Sequence, residues 1–211
     1  MEALLLPQRE LWDGAYGVAI ANTVHAQRVD RPPLSSLDDI LTWGERVHIL
    51  TGAETAAIRS QSPANTDAIV ASFNEIRSLA EAIVLAGRLR RQPRSHETEQ
   101  LNHLFSRAMA TVRVLPDSQG YRFVLNPERD ALDRLAQLTI LSLADLLTTG
   151  LFLRIRICQA RDCDLAFVDR SRGHGRRWCD METCGHEQKM RRLKARRRAY
   201  DRVFKQGLLS P

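Results

Sequence analysis

Four cysteines constrain this chain more than anything else in it. They fall as Cys158-x4-Cys163, then fifteen residues, then Cys179-x4-Cys184. Tetrahedral zinc asks for four soft ligands, and each short-spaced pair can deliver two thiolates from one local turn. The segment that carries them is too short and too polar to build an apolar core of its own. The competing assignments are two disulfides or four ordinary buried thiols. Compartment weighs against disulfides. The chain opens Met1-Glu2-Ala3-Leu4-Leu5-Leu6-Pro7, with an acid where a secretory signal wants a base. No apolar run reaches the ~20 residues of a membrane-spanning helix. A reducing cytoplasm is therefore expected, and there clustered cysteines read as metal ligands first.

The residues around the cysteines suggest how the site closes. Leu165-Ala166-Phe167-Val168 has the composition of a short strand, and Ser171-Arg172-Gly173-His174-Gly175 that of a turn. Arg176-Arg177-Trp178 is expected to return as the second strand. Cys184 then sits at the start of the last helix. A hairpin and a helix N-terminus sharing one ion is a treble-clef-like plan. Four thiolates leave no open coordination position, which makes the ion structural rather than catalytic. His174 and His186 are alternative ligands by type, and both read as exposed polar residues.

Charge divides the chain unevenly. From Leu151 to Pro211 there are 16 Lys+Arg against 7 Asp+Glu, whereas the first 150 residues hold 15 against 18. The basic end invites an anionic partner. It peaks in a run of nine cations from Lys189 to Lys205. On a helix, Arg191, Lys194, Arg198 and Arg202 fall on one stripe, while Met190, Leu193, Tyr200 and Phe204 fall nearly opposite. Such a stripe can follow phosphates, of DNA or of RNA, and the apolar side is expected to dock on the module. Lys189, with Arg176 and Arg177 on the expected hairpin, completes the candidate nucleic-acid surface. A solvated polar tail is the bland alternative.

The first 150 residues read as mainly helical. Helices are expected over about Trp12–Gln27, from Leu37 up to Gly52, and over Ala64–Arg91, Ser95–Ala110 and Pro127–Leu147, each on its apolar spacing. Thr111–Leu115 and Tyr121–Leu125 alternate around Pro116-Asp117-Ser118-Gln119-Gly120, a hairpin signal. Leu151 to Ile157 begins to alternate like a strand leading into Cys158. The expectation is a mainly α N-terminal domain with one β-hairpin, residues 1–150, and a small zinc module of hairpin and basic helix, residues 151–211. No flexible linker separates them, so they should pack together.

Cys158-x4-Cys163, Phe167-Val168-Asp169-Arg170-Ser171-Arg172, Arg176-Arg177-Trp178-Cys179-Asp180-Met181, Cys184-Gly185 and the following Arg-rich helix closely resemble the CGNR zinc finger family. Gly17-Val18-Ala19-Ile20-Ala21-Asn22-Thr23 and Leu37-Asp38-Asp39-Ile40-Leu41-Thr42-Trp43 resemble the ABATE domain that precedes the finger in that family. The resemblance implies a bacterial, stress-related transcription regulator whose finger binds DNA. One position departs from it. The signature Cys-Gly-Asn-Arg reads Cys184-Gly185-His186-Glu187 here, so an arginine that could touch phosphate is an acid.

The expected function is thus DNA binding through a zinc-stabilised basic helix. The N-terminal domain would act as a sensor, with a small-molecule effector, or as a homodimerisation body. No nucleophile elbow, phosphate loop or HExxH is present, and His25, His48, His96 and His103 sit in helical surroundings without a partner motif. A binding protein is expected rather than an enzyme, and no membrane partner. The competing classes are a helical ligand-binding or enzymatic domain propped by a purely structural zinc module, and a protein-interaction module.

Overall fold

Ser36 starts the first well-capped helix. The computed structural model, which describes residues 15–24, 34–61, 63–118, 120–125 and 130–207, has the Asp39 N–H donating to Ser36 Oγ at 3.1 Å while Asp39 Oδ2 takes the Ser36 N–H at 2.9 Å. This reciprocal box opens α2 (Leu37–Arg46) and leaves Ile40, Leu41 and Trp43 facing inward. Before it lies α1 (Ala15–Ala21), continued by one tight turn at Asn22–Val24. Trp12, His25 and Gln27, ends and neighbours of the helix expected there, lie outside the described residues.

The helix expected to run on to Gly52 stops early. His48 takes φ 58°, and the chain turns Ile49 and Leu50 into the core. Gly52 then begins a helix, α3 (Gly52–Gln61), rather than ending one. The cause is a second capping box: the Glu54 N–H donates to Thr51 Oγ1 at 3.2 Å, and Glu54 Oε2 accepts the Thr51 N–H at 2.8 Å.

The remaining elements follow their patterns closely. They are α4 (Thr66–Arg88), α5 (Ser95–Met109), β1 (Val112–Asp117), β2 (Gly120–Leu125) and α6 (Ala131–Thr148). Phe73, Ile76, Leu79, Ala80 and Ile83 are buried along α4, as their spacing predicts. The β1–β2 pair is antiparallel, from Val112 opposite Leu125 to Asp117 opposite Gly120. Asp130 caps α6 by accepting the Asp133 N–H at 2.7 Å; Pro127 lies outside the described residues. Gly150, at φ 76°, supplies the left-handed turn that leads out of α6.

One core serves both ends of the chain. Ile20, Leu41, Ile76, Ile83, Leu135, Leu143 and Leu146 belong to the same buried cluster as Phe152, Ile155, Ala166 and Val168. Each large side chain buried this way contributes roughly 1.5–3 kcal/mol. Gly87 marks the seam: a Cβ there would stand 2.6 Å from Ile155 Cδ1 and 3.0 Å from the Phe152 carbonyl oxygen. Among the described residues, no helix is long and apolar enough to cross a membrane.

Candidate metal centre and basic helix

A turn at Leu151–Arg154 leads into β3 (Ile155–Ile157), which pairs antiparallel with β4 (Ala166–Val168). Cys158 and Cys163 sit in the connection between them. The expected second strand at Arg176-Arg177-Trp178 does not form, because both edges of β4 are taken. β3 holds one edge. On the other, Asn22 of the N-terminal body donates Nδ2–H to the Ala166 carbonyl and accepts the Ala166 N–H, both at 2.9 Å. The 176–178 segment bonds instead to the Cys158–Cys163 turn, the Gln159 N–H donating to the Arg177 carbonyl at 2.9 Å.

The four sulfurs converge. All lie within 4.8 Å of one another, and Cys179 Sγ is 3.7 Å from both Cys163 Sγ and Cys184 Sγ. Four thiolates about 2.3 Å from one tetrahedral ion stand about 3.8 Å apart, so the spacing fits zinc and none of the four is in a disulfide. Burial pushes the Cys163 thiol up to about 11. Burial, and then the charges of Cys158 and Cys163, push Cys179 up as well. Cys158 lies below an ordinary thiol: burial raises it, but hydrogen bonds from the backbone of Cys179 and Ala160 and from neighbouring sulfurs outweigh that. Several thiolates this close need a cation to share their charge. Zinc supplies it, and Cys158, Cys163, Cys179 and Cys184 form a closed structural site for one ion. His174 and His186 are exposed and stand outside this group.

Asp169 organises the loop beside the cysteines. It is fully buried and accepts from the Ser171 N–H at 3.0 Å, the Ser171 hydroxyl at 2.7 Å and the Arg176 N–H at 3.2 Å, with Arg156 3.1 Å away. Arg176 and Arg177, candidates for phosphate contact, are both tied to the module by hydrogen bonds, Arg176 half-buried and Arg177 exposed. The Arg176 guanidinium donates to the carbonyls of Trp178 and Cys179 and lies 5.1 Å over the Phe167 ring. Arg177 donates to Gln159 Oε1 at 2.6 Å and stacks on Trp178.

Asp180 caps a wide turn, Met181–Gly185, by accepting the Thr183 N–H at 2.7 Å, and α7 (His186–Gly207) leaves from it. Arg191 is drawn between two acids, Asp162 at 2.6 Å and Glu187 at 2.7 Å. Lys189, Lys194, Arg198 and Arg202 are exposed. The apolar side was expected to dock on the module, and it does not. Leu193 is 48% exposed, Tyr200 69% and Phe204 58%. Every residue from 192 to 202 is exposed, because α7 projects beyond the small module at its root.

Asn22, Asp162 and Asp169 are the contributors that sequence reasoning missed. Asp169-x-Ser171 carries a local signal, an acid two residues before a serine whose N–H it can accept. Asn22 and Asp162 depend on partners far along the chain.

Comparison with protein families covers nearly this whole architecture. The model described as "CGNR zinc finger" matches residues 154–197. The ABATE model, described as "Putative stress-induced transcription regulator", matches residues 14–150. No curated protein matches the chain significantly.

Proposed function

Because the chain belongs to the ABATE family and carries a CGNR zinc finger, we propose that it regulates transcription by gripping the DNA backbone with α7. The observation that carries this reading is the exposure of Lys189, Arg192, Lys194, Arg196, Arg197, Arg198 and Arg202 on a helix whose root is set by the metal site. Zinc has no catalytic part in it, since four thiolates leave no place for a substrate. The protein acts by binding. The N-terminal domain serves as the sensor or dimerisation body, and the core it shares with the finger joins it to β3 and β4, beside the metal site from which α7 leaves.

The stripe of Lys194, Arg198 and Arg202 follows phosphates on a duplex. Arg191 contributes less, because Asp162 and Glu187 already neutralise it. The test is duplex binding by zinc-loaded protein over a range of salt. About three phosphate contacts give a slope near −2.7 in log affinity against log salt. Arg198→Ala should weaken binding to all sequences alike and make the slope shallower by about one. No duplex binding at low salt by folded, zinc-loaded protein would rule the reading out.

A further inference from the structure

The near half of α7 borders a groove. Trp178 and Met181, from the segment that precedes the helix, stand off its surface and leave about 990 Å³ between them and Lys189, Arg192, Leu193 and Arg196. At about 100° per residue, positions 189, 192, 193, 196, 200 and 204 all fall on one side of the helix. The groove ends at Arg196, and the same side of the helix continues beyond it to Tyr200 and Phe204. Their rings lie 6.2 Å apart with 14° between planes, and both are largely exposed. Arg196 and Arg197 stand one turn before Tyr200.

A second copy of the chain fits this face poorly. The helix carries nine Lys+Arg against two Asp+Glu, so two such faces repel. What complements it is a polyanion that also exposes flat apolar surface. Duplex DNA keeps its base faces stacked inside and offers only edges and phosphates. A single strand offers both phosphates and unstacked bases, and base–aromatic stacking is tolerant of sequence. From Lys189 to Phe204 the face is about 22 Å long, room for a few nucleotides.

We propose that this side of α7 binds single-stranded nucleic acid, with bases stacked on the Tyr200–Phe204 pair and phosphates held by Lys189, Arg192 and Arg196. It rests on the nucleic-acid reading above and uses the side of the helix opposite the duplex-facing stripe.

The test uses full-length, zinc-loaded protein and fluorescence anisotropy. The probes are labelled oligo-dT, oligo-U, an abasic strand of the same length and charge, and a duplex of that length. At least one of the two base-bearing strands should bind about tenfold more tightly than the abasic strand. The double variant Tyr200→Ala/Phe204→Ala should lose that margin and keep its abasic binding, whereas Tyr200→Phe should retain the margin. Both rings are exposed, so the variants should fold normally, which circular dichroism checks. Equal binding of base-bearing and abasic strands, or a margin that survives the double variant, overturns the proposal. Duplex binding without any such margin removes this proposal alone; failure of every probe to bind removes the nucleic-acid reading with it. Light scattering that finds wild-type dimers and double-variant monomers would assign the face to a second copy and overturn the proposal too.

Discussion

Asp169 keeps its charge where burial alone would remove it. Burial pushes its carboxyl up, but the Ser171 hydroxyl and N–H, the Arg176 N–H and the Arg156 cation outweigh that and hold it below the ordinary 3.8. The native state therefore disfavours protonation more than the unfolded chain does. The stabilisation is complete above the ordinary value and is lost as pH falls through the native one. At pH 7, Asp169→Asn should cost roughly 1–3 kcal/mol, because the buried donors lose a charged acceptor. Denaturant unfolding at pH 7 in zinc excess measures this gap; the acid range in which the carboxylate's contribution fades, below 3.8, is one in which protonated thiols also release the zinc. Equal stability of the two proteins at pH 7 would assign Asp169 a packing role only. Glu187 is open to a second test. Glu187→Arg frees Arg191 from one acid and adds a cation, so duplex binding should tighten and its salt slope steepen by about one or more. At this scale the metal ligands were legible, since thiolate spacing is a local requirement written into consecutive residues. The Asn22–Ala166 and Asp162–Arg191 pairs were not. Nothing in a polar side chain names a partner that only the fold brings near.

Elements show the same division. α4 and α5 could be read from their periodic stripes, and the β1–β2 hairpin from its alternation. α3 is obscured because Gly52 reads as a stop signal, although Thr51-x-x-Glu54 beside it spells a helix start. The strand expected at Arg176–Trp178 failed for a tertiary reason, since Asn22 had already taken the edge it needed. The free apolar side of α7 was hidden for the opposite reason: periodicity reports a face and is silent on whether anything covers it. The junction between α4 and β3 yields its own prediction. Alanine is the better helix former by about 1 kcal/mol, yet at Gly87 its Cβ would meet a backbone carbonyl as well as Ile155. Gly87→Ala should therefore destabilise the protein, by about 1–3 kcal/mol, through overpacking. Thermal unfolding checks the sign, and an increase in Tm would mean that the seam can part without cost.

The molecule as a whole depends on the ion at one place. Cys179 precedes the turn from which α7 departs and Cys184 lies within it, while Cys158 and Cys163 tie that turn to β3 and β4. Zinc in modules of this kind contributes on the order of 10–16 kcal/mol to folding. Cys179→Ser should bind no zinc tightly, lose helix signal from α7 and leave most of the N-terminal helices in place. Metal analysis and far-UV circular dichroism report the two effects separately. A variant with full helix content and no zinc would show that α7 stands without it.

There is also a matter of leverage. The 22 residues of α7 span about 33 Å and are anchored at one end. On an arm of that length a tilt of about 10° at the root moves the tip by about 6 Å, roughly the whole rise of one helical turn. The thiolate cluster is thus the bearing on which the arm is aimed. Small errors in coordination geometry would reach Tyr200 and Phe204 magnified, as errors of position.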